Sequence, residues 1–291
     1  MDISYELYKV FFHVASTLSF SEASKQLFIS QSAVSQSIKT LELKLGQQLF
    51  VRSTKKVRLT PEGEILFRHI EPAIHFIKRG EAGLMEAAIT GGQIRIGASD
   101  TICRYFLIPY LERFHKEFPQ AHIKVVNQTS NECAKLLDAG QVDLVVVNSP
   151  NPLLSNQATI KTIKIFRDLF IASTTFAQSL SLPISLADLT TFPILMLDGQ
   201  SSTSGFLHRL FQQHQLDLIP EIELTSNDLL IDLARIGLGI AFVPDFCLIN
   251  QPEGIAIVST KEELPPRELV IAYFKDAPIS KLAEEFLKYF A

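Results

Sequence analysis

The stretch from Ser19 to Gly46, SFSEASKQLFISQSAVSQSIKTLELKLG, leaves the chain few ways to fold. It holds two helix starts and a helix stop with almost no chain between them. Ser19, with Glu22 three residues on, makes a capping box and predicts a short helix over about 20–27. Phe28 and Ile29 form a tight connection to Ser30, which caps the next helix. In that helix Val34, Ile38, Leu41 and Leu45 repeat at +4, +3, +4 and make one buried stripe. Gly46 then stops it. The stripes need a third helix, and about 4–17 supplies one, with Leu7, Val10, Phe11 and Val14 on a single face.

The opposite side of the third helix carries Gln31, Ser32, Ser35, Gln36 and Lys39, nearest its N-terminal end. Ser does little for helix formation, so the polar face answers another need. Next, LFVRSTKKVRLT reads as two short strands, 49–52 and 57–60, around a basic turn. The net charge of −4 hides an asymmetry. Residues 1–92 hold 11 Lys+Arg and 9 Asp+Glu, and the remainder 16 and 22. Within 25–60, Lys25, Lys39, Lys44, Arg52, Lys55, Lys56 and Arg58 face a single Glu42. A local basic patch inside an acidic protein is a footprint for a polyanion. The major groove of DNA admits one α-helix, whose N-terminal residues reach base edges. Ser and Gln leave that end uncrowded and able to hydrogen-bond, while neighbouring cations neutralise phosphates without reading sequence.

Thr60 caps a long helix over about 61–89, with Pro61 at its first position. Leu66, Ile70, Ala73, Ile77, Gly80, Leu84 and Ala87 alternate +4 and +3, a seam of coiled-coil period that suits pairing with another helix. Pro72 lies inside it and removes a backbone bond, which predicts a kink. Gly91-Gly92 ends the segment as a hinge. From 93 onward strands and helices alternate, the pattern of a parallel α/β protein. The expected organisation is a head at 1–60, a linker helix at 61–90 and an α/β domain at 91–291. That domain would have two lobes, 91–162 with 267–291, and 163–266.

The same residues exclude several classes. No run of about 18 apolar residues predicts a membrane span, and MDISYELYKV lacks the charged-then-apolar pattern of a secretory signal, so the expected location is cytoplasmic. Cys103, Cys133 and Cys247 are far apart and form no C-x-x-C, which suits a reducing compartment. No His pairs with Cys or His at metal-ligand spacing, so no metal is expected, and no cofactor motif stands out.

SFSEASKQLFISQSAVSQSIKTLELKLGQQLFVRSTKKVRLTPEGE resembles the winged helix-turn-helix of LysR-type transcriptional regulators. The match is dense over about 5–65 and continues more loosely through IRIGAS, DLVVVN and LTSNDLLIDLARIGLGIAFVP. The resemblance implies a bacterial regulator that binds double-stranded DNA, assembles as a homodimer or homotetramer through the long helix, and works with RNA polymerase. It also implies a two-lobed C-terminal domain like type 2 periplasmic solute-binding proteins, with a small effector between the lobes. Carried over by position, the base-reading candidates are Gln31, Ser32, Ser35 and Gln36. Lys39, Arg52, Lys55 and Lys56 join them as DNA contacts. The family often has Arg where Gln36 stands, and Gln shifts base preference from guanine toward adenine.

In open α/β sheets ligands sit beyond the carboxyl ends of strands, near helix N-termini. IRIGA delivers Ser99, Asp100 and Thr101 to such an end. HIKVVNQ delivers Thr129 and Ser130, and DLVVVN ends on Asn148. The loop DGQSSTSG brings Gln200, Ser201, Ser202 and Thr203 from the second lobe. Phe206 and His208 beside that loop are candidates for an aromatic wall. The expected ligand is a small polar metabolite. The alternative class is an enzyme with a DNA-binding head, but GQSSTSG does not supply G-x-S-x-G, and no catalytic set of residues stands out.

Overall fold

Local capping decides the first three helices. The computed structural model describes residues 3–52, 57–86, 92–249, 253–274 and 279–290. The chain divides into two units, Met1–Met85 with Ala139–Gln141, and Glu86–Asp138 with Val142–Ala291. In the first, α1 (Tyr5–Thr17), α2 (Phe20–Leu27) and α3 (Gln31–Leu45) begin on Ser4, Ser19 and Ser30, each accepting a backbone N–H in its first turn. The capping box at Ser19 is half formed. Its hydroxyl accepts from the Glu22 N–H at 3.2 Å, but the Ser19 N–H donates to Thr17 Oγ1 at 3.3 Å, and the Glu22 carboxylate turns to Lys25. Phe28 closes α2 in the left-handed region at φ 55° and is 94% exposed. Gly46 closes α3 at φ 68°, where glycine is unstrained.

Val34, Ile38 and Leu41 are fully buried with Val10, Phe11, Val14, Ala23 and Leu49, forming the core of the first unit. Strands β1 (Phe50–Arg52) and β2 (Val57–Leu59) pair antiparallel. The single acid of the basic segment has a structural task, since Glu42 Oε1 accepts the backbone N–H of Leu49 at 2.8 Å and of Phe50 at 3.3 Å. It ties the start of the wing to α3. Helix α4 (Pro61–Glu86) runs through Pro72. Its Gly63 lies so close to the wing that a Cβ there would fall 2.2 Å from the Leu49 carbonyl oxygen. Leu66 and Ile70 pack on the core, whereas Ala73, Ile77 and Gly80 of the expected seam are exposed. The side chain of Leu84, and Ala87, lie outside the described residues.

The second unit has two five-stranded sheets. The first has the order β4 (His122–Asn127), β3 (Gln93–Ala98), β5 (Leu144–Ser149), β12 (Arg267–Tyr273), β6 (Thr159–Phe166). Strand β3 is parallel to β4 and β5, and β12 is antiparallel to β5 and β6. The second has the order β11 (Ile255–Val258), β7 (Asp168–Ser173), β10 (Ile240–Pro244), β8 (Ile194–Leu197), β9 (Ile222–Leu224), with β8 parallel to β9 and β10. The chain crosses between sheets twice, at Arg167 and on the way from β11 to β12. Strand β6 stays in the first sheet to Phe166, so the crossing comes four residues beyond the expected lobe limit of 162. The lobes share one apolar core, in which Ile96 and Val146 of one sheet join Ile171, Leu195 and Val243 of the other.

Helices α5 (Ile108–Glu117), α6 (Ser130–Asp138), α7 (Ser202–Gln213), α8 (Asn227–Arg235) and α9 (Lys281–Leu287) flank the sheets. The helical run after β3 is broken into a single turn at Asp100–Ile102, a π-helical stretch at Cys103–Leu107, and α5. Pro109 opens α5 without an N–H to give, and the wider i→i+5 turn absorbs the mismatch, with the Ile108 N–H reaching the Cys103 carbonyl. Among the described residues, no helix is long and apolar enough to cross a membrane.

Candidate nucleic-acid interface and effector cavity

Helix α3 is fixed from behind and open in front. Its buried stripe locks the axis, and Gln31, Ser32, Gln36 and Lys39 are exposed on the other side, with Ser35 half-buried among them. At 1.5 Å rise per residue these five span about 12 Å of helix. Ser32, Ser35, Gln36 and Lys39 line a groove of about 1020 Å³ that continues past Glu42 and Leu43 to Gln47, Gln48 and Val51 beside the wing. Gln31 stands outside that groove, at the tip of the helix. Gln47 and Gln48 were not among the sequence candidates, because a Gln pair after a helix-stopping Gly carries no local signal of its own. The side chain of Arg52, and Lys55 and Lys56, lie outside the described residues.

In the second unit, nine of the ten expected effector residues line one cavity of about 430 Å³ between the lobes. These are Ser99, Asp100, Thr101, Thr129, Ser130, Asn148, Ser201, Ser202 and Thr203. Helix capping explains their positions. Ser99, Thr129 and Ser201 each accept a backbone N–H in the first turn that follows, at 3.3, 3.2 and 3.1 Å. Ser130 accepts the Asn148 N–H at 3.1 Å and so joins α6 to the end of β5. The exception is Gln200. Its N–H donates to Asp198, its carbonyl accepts from Asn131, and its exposed side chain lies away from the cavity lining. Phe206 and His208 are also absent from the lining. Phe206 instead packs on Phe242 and under the Arg267 guanidinium.

The same strand-end logic missed a wall. Thr225, Ser226 and Asn227 line the cavity between β9 and α8, and they repeat the Thr-Ser-Asn of 129–131. Ser226 caps α8, and Asn227 Nδ2 crosses to Thr101 Oγ1 of the other lobe at 2.9 Å. Asn148 Nδ2 makes the matching crossing to Ser202 Oγ at 3.4 Å. Tyr105 donates its phenol proton to Asp228, which also faces Arg104 at 3.5 Å. Burial, then Asp228, pushes the Tyr105 phenol above its ordinary range, so it stays a donor. Beside the cavity, burial and then the Asp100 charge push the Cys103 thiol up to about 11, and it donates to Asn127 Oδ1 at 3.2 Å. Such a thiol is protonated at neutral pH and a poor nucleophile.

Below the cavity, at the crossings, Arg267 of β12 pairs with Asp168 of β7 at 2.7 Å, with both side chains almost wholly buried. Arg267 also donates to Thr203 Oγ1 at 3.1 Å and lies over the Phe166 and Phe206 rings. Burial pushes the Asp168 carboxyl up, and the Arg267 charge opposes it. A buried ion pair links the two sheets directly under a cavity-lining threonine. In the sequence Asp168 follows Arg167 and Arg267 precedes Glu268, and nothing joins Asp168 to Arg267.

Comparison with known proteins extends the geometry. Residues 5–64 match the profile of the bacterial regulatory helix-turn-helix protein, lysR family, and residues 88–291 match that of the LysR substrate binding domain. The chain is 25% identical over 287 residues to the HTH-type transcriptional activator IlvY of Salmonella typhimurium, covering 96% of this chain and 97% of that one. In fold it is similar to ArgP from Mycobacterium tuberculosis, with a TM-score of 0.69 at 20% identity over 99% and 96% of the two chains. It is likewise similar to full-length CbnR in complex with its target DNA, with a TM-score of 0.63 at 18% identity over 99% of each chain.

Proposed function

The chain belongs to the LysR family of transcriptional regulators, and from that premise we propose how this member works. It is a DNA-binding regulator with an effector-binding domain, and its relatives are regulators rather than enzymes. In our reading α3 enters the major groove. Gln31, Ser32, Ser35 and Gln36 read base edges, and Lys39, with Arg52, Lys55 and Lys56 of the wing, neutralises phosphates. The observation that carries this reading is the pairing of a buried stripe with an exposed polar face on one short, doubly capped helix. Two copies join along the exposed Ala73–Ile77–Gly80 seam of α4, and pairs of such dimers make the tetramer. A small polar metabolite fills the interlobe cavity and changes how the assembly acts on RNA polymerase, in the cytoplasm.

The test is a DNA titration of the purified protein at several salt concentrations. The probe is the region upstream of its own gene, with scrambled DNA as control. Binding about a thousandfold or more tighter to the native probe is the expected result. No binding to any DNA at low salt would overturn the reading of α3.

A further inference from the structure

We propose that the ligand of the interlobe cavity is a small zwitterion, with one carboxylate and one ammonium around a short apolar body, as in an α-amino acid. The inference rests on the reading of that cavity as the effector site, and narrows it to a chemical class.

The carboxylate has a seat without a cationic side chain. Helices α6, α7 and α8, of 9, 12 and 9 residues, begin at the cavity wall. Their capping hydroxyls, Thr129, Ser201 and Ser226, each accept a backbone N–H. A hydroxyl used as an acceptor still has its own proton to donate. Three positive helix ends fringed with O–H donors suit an anion.

The rest of the wall asks for the opposite charge. Asp100 and Asp198 line the cavity, and among the described residues no Lys, Arg or His does. A purely anionic ligand would leave those two carboxylates without a counter-charge. Asn148 and Asn227 are 8% and 5% exposed, line the cavity, and spend their amide N–H groups on the opposite lobe. Each keeps an amide oxygen with no hydrogen-bond partner. Buried acceptors left alone are rare and call for a donor. An ammonium brings the positive charge that the two aspartates call for, and its three donors suit a wall rich in acceptors. Ile102, Leu197, Pro244 and Phe246 complete the lining and suit a small apolar body. A cavity of about 430 Å³ lies within the range of small-metabolite sites.

The experiment is calorimetric titration of the full-length protein with compound sets that share a carbon skeleton. Each set holds an α-amino acid, its 2-hydroxy acid, its 2-oxo acid and the amine left by decarboxylation, and dicarboxylates and monosaccharides are added. The expected result is an amino acid that binds at least tenfold tighter than every analogue lacking one of its charges. The exposed Asp100→Asn is expected to shrink its advantage over the hydroxy acid with an unchanged melting curve. Tighter binding of an oxo acid, hydroxy acid, dicarboxylate, amine or sugar, abolished by the cavity-filling Ser202→Trp, would overturn the zwitterion and keep the cavity. Binding that Ser202→Trp does not disturb, or no binding by any class, would overturn the cavity reading itself.

Discussion

The polar face of α3 and the wall of the interlobe cavity are both built on neutral polar side chains, Ser and Gln on the first and mostly Ser, Thr and Asn on the second, and put them to opposite ends. On α3 the hydroxyl that holds the backbone is Ser30, ahead of the helix, and Gln31, Ser32 and Gln36 stand out into solvent. In the cavity nearly every short polar group is already bonded to the scaffold. Ser99, Thr129, Ser201 and Ser226 cap helices, Ser130 holds the end of β5, and Asn148 and Asn227 cross to the other lobe. The first surface is carried by the fold, whereas the second is part of it. Substitutions on α3 therefore change what is bound, and substitutions of these bonded cavity groups change stability as well.

The largest expected effect lies beneath the cavity. Arg267→Met leaves Asp168 buried without its partner, and is expected to destabilise the second unit by about 3–5 kcal/mol in urea denaturation. Adding Asp168→Leu removes the stranded charge and should recover most of that loss. A single variant within about 1 kcal/mol of the parent, the range of a surface pair, would mean that the pair is solvated, and the cavity floor would be no more integral than the α3 face. The helix-turn-helix unit has one fragile point of its own, in backbone rather than polar groups. Gly63→Ala drives a methyl toward the Leu49 carbonyl and is expected to cost about 1–3 kcal/mol, read from the melting of the isolated spectroscopic signal of a Trp placed at Phe67.

The contrast also marks what could be read before any coordinates. Helices α1 to α3 were legible because caps and stripes are local: Ser19, Ser30 and Gly46 act within a few residues of themselves. That nine of the ten effector candidates line one cavity was legible for the same reason, since a strand end followed by Ser, Thr or Asn announces a helix N-terminus. Gln200 falls outside the lining because that rule finds the loop and says nothing about which of its side chains turns inward. The lobe limit fell four residues short because TIKTIKIFRDLFIAS holds no Gly, Pro or Asn to mark the crossing, and only strand pairing shows where one sheet ends. Arg267 and Asp168, 99 residues apart, meet only through the topology of two sheets. Nothing near either residue in the chain foretells the partner.

A middle-sized effect tests whether cavity hydroxyls serve both the fold and the ligand. Ser226→Ala removes the α8 cap and is expected to cost about 1 kcal/mol while also weakening the effector response in the DNA-binding assay. Full stability with a weakened response would assign Ser226 to the ligand alone, and the reverse would assign it to the helix alone. The first result would blur the distinction between the two surfaces, and the second would sharpen it.

The smallest expected change in stability is at Gln36. Its side chain is exposed and its helix is held by the opposite face, so Gln36→Ala should alter unfolding by no more than about 0.5 kcal/mol. Its effect belongs to recognition. A Gln that pairs in two places with adenine contributes about 1–3 kcal/mol of discrimination, so the variant should relax preference at one position of the site and bind scrambled DNA as before. Lys39→Ala, a neighbour on the same face, is expected to do the converse, weakening all DNA alike and lowering the salt slope by about one. A uniform loss from Gln36→Ala would give that residue to the phosphates. A large loss of stability would show that the α3 face is as much part of the fold as the cavity wall, and the two polar surfaces would then differ only in their partners.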